Sequence, residues 1–447
     1  MKEKIRIGCG AGFSGDRIEP AVILAERGAL DYLVLECLAE RTIGLAQKRK
    51  LQDAIKGYDP LLEKRISSLL PHLVKNKIRL ITNMGAANPE EGAKKIIEIA
   101  RKQGYTIKVA AVAGDDVLEK LSAEASKFPI IEDKTKTLAD YEVISANAYL
   151  GVEGIVKALE AEAQIIITGR VSDPSLFLAP MIHEFAWASD NYDLMGKGSV
   201  IGHLLECAGH ICGGYFADPL TKPIENMDTL GHPFADVFAD GRAIISKVTG
   251  TGGEINLQTA KEQLLYEVIN PYQYFTPDVI ADFTSVHLEE IAKNQIAVSG
   301  GGGAVKPETY KVSVGYKAFY QGEGEISYSG PNALGRATLA GDILNKRIGH
   351  QFEDFRIDYI GVNSVFRKNS SLINAKAEHI QEVRVRAAGK VKTAEEAAII
   401  GEEVEALYTN GPAAGGGVRK FVNEVIGIVS VLIDRKSIEA TVKIFEA

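Results

Sequence analysis

Short apolar runs, each ending in small or polar residues and followed by a helix-like segment, constrain this chain more than any other feature. Gly8 to Arg41 is the first such unit. Ile5 to Ile7 lead through a glycine-rich loop into a helix-like segment, and a second apolar run, Leu30 to Leu35, ends at Glu36. Ile78 to Thr82 then runs into NMGAANP, with Pro89 where a helix begins. Ile107 to Val112 runs into AGDD, and Gln164 to Thr168 into GRVSDP. Between these runs, Ala39 to Lys50, Pro60 to Lys75 and Gly151 to Ala161 read as helices; the second carries Leu61, Leu62, Ile66, Leu69 and Leu70 on one side. Uninterrupted apolar strands alternating with helices predict an α/β fold whose mostly parallel sheet is covered by helices. Such a sheet collects its ligand at the C-terminal ends of its strands. Asp16, Arg17, Glu36, Asn83, Asn88, Asp115, Asp116, Thr168, Arg170 and Asp173 are therefore expected around one crevice, although each residue type also caps helices and forms turns.

Further along, Trp187 to Gly198 is polar and reads as a loop, Ser199 to Cys207 as a helix, and Gly213 to Thr251 as a long irregular region. Leu257 to Val268 is helical and Pro271 to Pro277 a turn-rich link. The glycine run Gly300 to Gly303 suggests a boundary between an α/β domain, 1–300, and a smaller α+β domain, 304–447. In the latter, Tyr310 to Tyr320 alternates as a strand, Gln321 to Gly324 can turn the chain, and Glu325 to Tyr328 can return as a hairpin partner. Pro331 to Leu344 and Ala394 to Leu407 read as helices; Phe355 to Val362, Glu382 to Ala388 and Glu439 to Phe445 read as strands.

A chain of 447 residues with 46% hydrophobic and 25% charged residues can bury a large core. Its net charge of -8 argues against nucleic acid or an anionic membrane as partner. No apolar run reaches the length of a spanning helix, so a cytoplasmic location is the expectation. Cys9, Cys37, Cys207 and Cys212 have no CxxC spacing and read as buried thiols.

Four segments carry possible chemistry. Gly10, Gly12 and Gly15 satisfy G-x-G-x-x-G, and Glu36 stands where a ribose-binding acid would follow. Asp16 and Glu19 oppose an anion at that helix start whereas Arg17 favours one; a tight, self-capped βα turn explains the loop equally. In GHLLECAGH, His203, Glu206 and His210 share a helix face if the helix continues past Gly209. Metal ligation is one reading, and no metal is expected. A His203–Glu206 acid/base or hydrogen-bonding pair is the better one, beside the plain alternative of a satisfied histidine. Arg170 can grip a carboxylate or phosphate, or be neutralised by Asp173. In YTNGPAAGGGVR, Gly411 can cap a helix, while Asn410, Gly415, Gly416, Gly417 and Arg419 can form an anion nest or a mobile lid. TGTGGE, residues 249–254, is a weaker case of the same kind. No nucleophile elbow, Walker A loop or zincin helix occurs, which disfavours serine hydrolysis and P-loop chemistry.

Taken together, GAGFSGDRIEPAVILAERG, LDYLVLECLAERT, TNMGAANP, VAGDDV, ANAYLGVEGIV, IITGRVSDPSL, GHLLECAGH, GGYFADP, TGTGGE, GPNALGRA and YTNGPAAGGGVR resemble the acyclic terpene utilisation protein A family, formerly a domain of unknown function. The resemblance spans about residues 5 to 420, and His210 stands where that family usually has glutamine. It implies a bacterial or archaeal cytoplasmic protein encoded in places near acyl-CoA or organic-acid catabolism, and supplies no reaction. Some relatives carry a small ferredoxin-like C-terminal domain, so a separate partner subunit of that kind is one expectation. A homo-oligomer is another.

Three functions remain open from the residues. The first is a hydratase or lyase acting on a small carboxylate or its acyl-CoA thioester, with His203, Glu206, Asp16 or Asp173 moving protons and Arg17, Arg41, Arg170 and Arg419 holding the anion. The second is an NAD(P)- or nucleotide-dependent enzyme using the glycine loop. The third is a non-catalytic subunit that binds acyl-CoA. The residues name no cofactor.

Overall fold

The structure, a computed structural model, describes residues 2–365 and 380–447. Two compact units emerge: Met1–Gly315 with Ile428–Ala447, and Tyr316–Gly427.

The first unit is built on a ten-stranded sheet. Its order is His287–Ala292, Gln295–Ser299, Ala243–Lys247, Pro233–Phe238, Lys4–Ala11, Tyr32–Leu35, Arg79–Thr82, Ile165–Thr168, Lys108–Ala113 and Thr441–Glu446. The five consecutive strands from Lys4–Ala11 to Lys108–Ala113 are parallel. The strands outside them pair antiparallel. Tyr32–Leu35 and Ile165–Thr168 are buried along their whole length, as strands covered on both faces must be. Helix Pro89–Lys102 shows how the cover forms. Proline occupies its first turn, Glu90 and Glu91 lie at its N-terminal end, and Arg101 and Lys102 lie at the other, all matching the helix dipole. Ala93, Ile96, Ile97 and Ala100 share the face it buries. Each large aliphatic side chain buried there contributes about 1.5–3 kcal/mol.

Three local expectations need correction. The segment 187–198 is not all loop: helix Tyr192–Glu206 starts inside it, with the Asn191 side chain accepting the Leu194 amide at 3.2 Å. Gly196 and Gly198 mimic loop residues in sequence, but a Cβ at Gly196 would lie 1.9 Å from the Gly302 carbonyl and one at Gly198 2.5 Å from Leu178. Close packing here outweighs the cost of about 1 kcal/mol for glycine in a helix. The region 213–251 is not irregular throughout. Pro233–Phe238 and Ala243–Lys247 form an antiparallel hairpin through Asp240 and Gly241, the latter at φ +83. That Asp-Gly pair is a hairpin signal masked by the surrounding glycines.

The third correction lies in the second unit. No turn forms at residues 321–324, because a single strand, Thr309–Ser329, runs straight through. Glycine here means close approach: a Cβ at Gly322 would sit 2.1 Å from the Ala397 carbonyl, and one at Gly324 2.7 Å from Val404. The unit packs helices Ala333–Ile348 and Ala394–Asn410 on an antiparallel sheet that includes Glu353–Ile360 and Glu382–Val391. Gly322→Ala should therefore lower stability by about 1–3 kcal/mol, read as a reduced urea midpoint, since the clash is with backbone and cannot relax by a side-chain rotation.

Among the described residues, no helix is long and apolar enough to cross a membrane.

Candidate functional site

At the C-terminal ends of the parallel strands the first unit opens into a cleft of about 1340 Å³. Seven of the residues expected from the sequence line it: Gly12, Asp16, Arg17, Glu36, Arg170, Asp173 and Glu206. Gly12, Asp16 and Arg17 lie in the loop after strand Lys4–Ala11, Glu36 follows Tyr32–Leu35, Arg170 and Asp173 lie in the loop after Ile165–Thr168, and Glu206 closes helix Tyr192–Glu206.

Arg170 occupies the centre. Its side chain is 2% exposed. Its guanidinium donates to Asp173 at 2.9 and 3.3 Å and to the Leu38 carbonyl, and lies 4.1 Å over the Tyr149 ring. Of the two roles open for Arg170, internal neutralisation by Asp173 is thus present in the structure. Tyr149 in turn donates to Glu40, which also accepts from Lys311 at 3.4 Å. Burial opposes ionisation of Glu40, yet Arg170, the Tyr149 hydroxyl and Lys311 hold its carboxyl at about 2. Glu36 and Asp173 go the other way: burial raises both despite Arg170, and Asp173 adds repulsion on Glu36.

Several expected residues stand behind this surface and support it. Asn83 donates to Glu36 at 2.8 Å and accepts the Cys37 amide at 2.7 Å, fixing the carboxylate that follows strand Tyr32–Leu35. Asp115 accepts the backbone N–H of Arg170 at 2.9 Å and the Asn147 amide at 2.8 Å; burial pushes its carboxyl up to about 6. Thr168 is wholly buried and donates to the Gly169 carbonyl.

Glu206 lines the cleft, and behind it the buried His203 places Nδ1 2.8 Å from Glu206 Oε1. Both are buried, and His203 packs its ring against Tyr274 and Phe283 at 5.4 Å. Burial, only partly offset by His203, raises the Glu206 carboxyl to about 7. Among the described residues, Glu206 Oε2 has no hydrogen-bond partner. His210 lies beyond the end of this helix, past Ala208 at φ +46, with its ring against Tyr215, Phe216 and Tyr266. Among the described residues no three His, Cys, Asp or Glu side chains converge so as to hold a metal ion.

The glycine loop has a packing role throughout. Gly10 lies inside strand Lys4–Ala11, where a Cβ would meet Leu35 at 2.7 Å. A Cβ at Gly12 would meet the Cys207 backbone at 2.5 Å, and one at Gly15 the Phe13 ring at 2.6 Å. Asp16 Oδ2 accepts the Gly12 amide at 2.7 Å, so a carboxylate already sits on a donor that a phosphate would use. Arg65, fully buried, holds the loop by donating to the Ser14 and Asp16 carbonyls.

The remaining expected residues do not line the cleft. Arg41 is exposed on helix Glu40–Gln52. Asn410 ends helix Ala394–Asn410 and donates to the Ala406 carbonyl. Gly415 packs against Ile326 and Tyr328, while Gly416, Gly417 and Arg419 belong to strand Gly416–Asp434, where a lid or open nest was one expectation.

Sequence reasoning missed Glu40, Tyr149, Lys311, His232 and Tyr274, all of which line the cleft. Tyr149 follows directly on strand Val143–Ala148, so the strand-end rule would have found it had that strand been read. His232, whose Nδ1 lies 3.2 Å from the Gly10 carbonyl, has no comparable signal.

A central parallel sheet with a carboxylate-rich cleft across its strand ends places the protein among α/β folds that keep their polar machinery on connecting loops. The match to known families is narrower. Residues 5–444 fit the acyclic terpene utilisation family protein AtuA, and the chain belongs to that family. Comparison with curated proteins and with solved structures finds no significant match in either.

Proposed function

We propose that the cleft is the active site of an enzyme of organic-acid or acyl catabolism that adds water to, or removes it from, a carbon–carbon double bond beside a carboxyl or thioester carbonyl. One observation carries the reading: Glu206, at the cleft wall with its carboxyl at about 7, is hydrogen-bonded to the buried His203. A carboxylate with that value exchanges protons efficiently near neutrality. In the dehydration direction, Glu206 takes the proton from the carbon next to the carbonyl through Oε2 and, once protonated, delivers it to the departing hydroxyl. The C–H and C–O bonds break, the double bond forms and water leaves. Lys311 and Arg17 supply positive potential for the charge that develops on the carbonyl oxygen. Apolar walls, among them Phe13, Leu38, Ile131, Tyr274 and Phe275, suit a hydrocarbon chain and agree with the family description.

Proton exchange in D2O tests this. Short- and medium-chain 2-enoic and 3-hydroxy acids, with their thioesters, are incubated with the protein and scanned by NMR for deuterium at the carbon next to the carbonyl. Because Glu206 acts as base only when ionised, exchange should rise with pH through about 7 and then level off. Exchange that is unchanged between pH 5 and 9 would contradict the assignment. Ligand-induced stabilisation without any exchange would favour a non-catalytic acyl-binding subunit instead. A nucleotide-dependent reaction has less support, since packing accounts for Gly10, Gly12 and Gly15 and Asp16 occupies the Gly12 amide.

A further inference from the structure

We infer that the second unit carries a dimer interface along one edge of its sheet, where strand Gly416–Asp434 pairs antiparallel with the same strand of a second copy. The strand stands last in its sheet, beside Thr309–Ser329, so one side of its backbone has no neighbouring strand among the described residues. Two contacts show which residues face that side. The Val418 amide donates to the Tyr408 hydroxyl at 3.2 Å. Further along, Ser430 donates its amide to Glu132 and accepts the Ile131 amide, both at 2.9 Å. Backbone N–H and C=O groups of alternate residues point to opposite sides of a strand, so the even-numbered positions face the open side. Between these two closed ends, Lys420, Val422 and Ile426 present backbone donors and acceptors to a further strand. Phe421 and Val422 are 45% and 43% exposed there.

An open edge pairs with another strand unless proline, a bulge or charge blunts it. Residues 418–426, VRKFVNEVI, contain no proline and favour the extended backbone through their valines, isoleucine and phenylalanine. The charges identify the partner. Lys420 and Glu424 stand two positions either side of Val422, so the segment run antiparallel about Val422 is complementary to itself. Lys420 then meets the partner's Glu424, and the twofold axis repeats the pair. Hydrogen bonding requires even positions to oppose even positions, which leaves few other registers. Centring on Lys420 or Glu424 sets like charges against each other, and centring on Phe421 or Asn423 sets both charges against aliphatic residues. Lys420 already reaches Glu405 at 2.6 Å, but an ammonium has three donors and serves two carboxylates at once.

The test uses the full chain. Sedimentation equilibrium should show wild type associating as a dimer. Lys420→Glu, at an exposed position, should raise the dimer dissociation constant at least about tenfold by turning both pairs repulsive, and Lys420→Glu combined with Glu424→Lys should restore it. Diamide oxidation gives a second readout. Directly opposed, hydrogen-bonded residues have Cα atoms about 5.5 Å apart, within disulfide reach, so Val422→Cys should cross-link to itself across the axis. Lys420→Cys should not, since four residues along the strand separate the two copies of position 420 by about 13 Å. A wild type that stays monomeric at about 100 μM would overturn the interface, this being well above the range of specific dimers. So would a dimer in which Val422→Cys fails to cross-link or in which Lys420→Glu leaves association unchanged. None of these outcomes bears on the proton-transfer reading of the cleft.

Discussion

Replacing Glu206 with glutamine should lower kcat by about two to four orders of magnitude with little change in KM, the loss typical of a removed general acid or base. Glutamine keeps the shape and still accepts a hydrogen bond from His203 Nδ1, which lies 2.8 Å from Glu206 Oε1. Only proton transfer is lost. The same substitution should make the protein more stable at alkaline pH. The folded carboxyl sits at about 7, above its ordinary 4.5, so the folded state favours the protonated form. Its contribution to stability is fully present below about pH 4.5 and is lost as pH rises through 7, because over that interval the folded state binds more protons than the unfolded one. Across this window the wild type should lose on the order of 3 kcal/mol that the glutamine variant keeps. Urea unfolding of both proteins at pH 4.5 and pH 8 measures the difference. Parallel pH dependence in the two proteins, or wild-type turnover in the variant, would remove Glu206 from the proposed role.

The pattern of apolar runs was enough to place the polar residues at the ends of the parallel strands, because strands buried on both faces leave an unbroken signature in sequence. Asp16, Glu36, Arg170 and Asp173 share one cleft for that reason. Glycine misled wherever its function was close approach. Gly196, Gly322 and Gly324 read as loop or turn residues, and each in fact removes a Cβ from the path of a neighbouring backbone or side chain. Spacing alone cannot separate these uses, since the contact involves a residue distant in sequence. The last strand shows a related limit. Its alternation is visible, but its pairing with Lys108–Ala113 in the large sheet depends on where the chain has been led beforehand. In the cleft, Lys311 and Tyr149 escaped notice because each looks like an ordinary residue of its segment. Only the fold shows that Lys311 lies 5.1 Å and the Arg170 guanidinium 4.1 Å over the Tyr149 ring.

Arg170→Met should destabilise the protein by about 3–5 kcal/mol at pH 8, the cost of removing one partner from a buried charge network. Methionine has a similar volume, so little of this arises from a cavity. Instead Asp173 and Glu36 lose their cation, the Leu38 carbonyl loses its donor, and the Tyr149 ring loses the guanidinium at 4.1 Å. The deficit should shrink at pH 5, where Asp173 and Glu36, both already raised by burial, can take up protons instead of remaining unpaired. Asp173→Asn in the same background should recover part of the loss, and a double-mutant cycle gives the coupling. A variant within about 1 kcal/mol of wild type at pH 8 would mean that water reaches the pair and screens it. Lys311→Ala provides the contrast. Lys311 is exposed, so its removal should leave the urea midpoint nearly unchanged while weakening the binding of a free acid. If instead Arg170→Met abolished acid binding with the fold intact and Lys311→Ala did not affect it, the guanidinium would be the ligand's grip and Asp173 its placeholder.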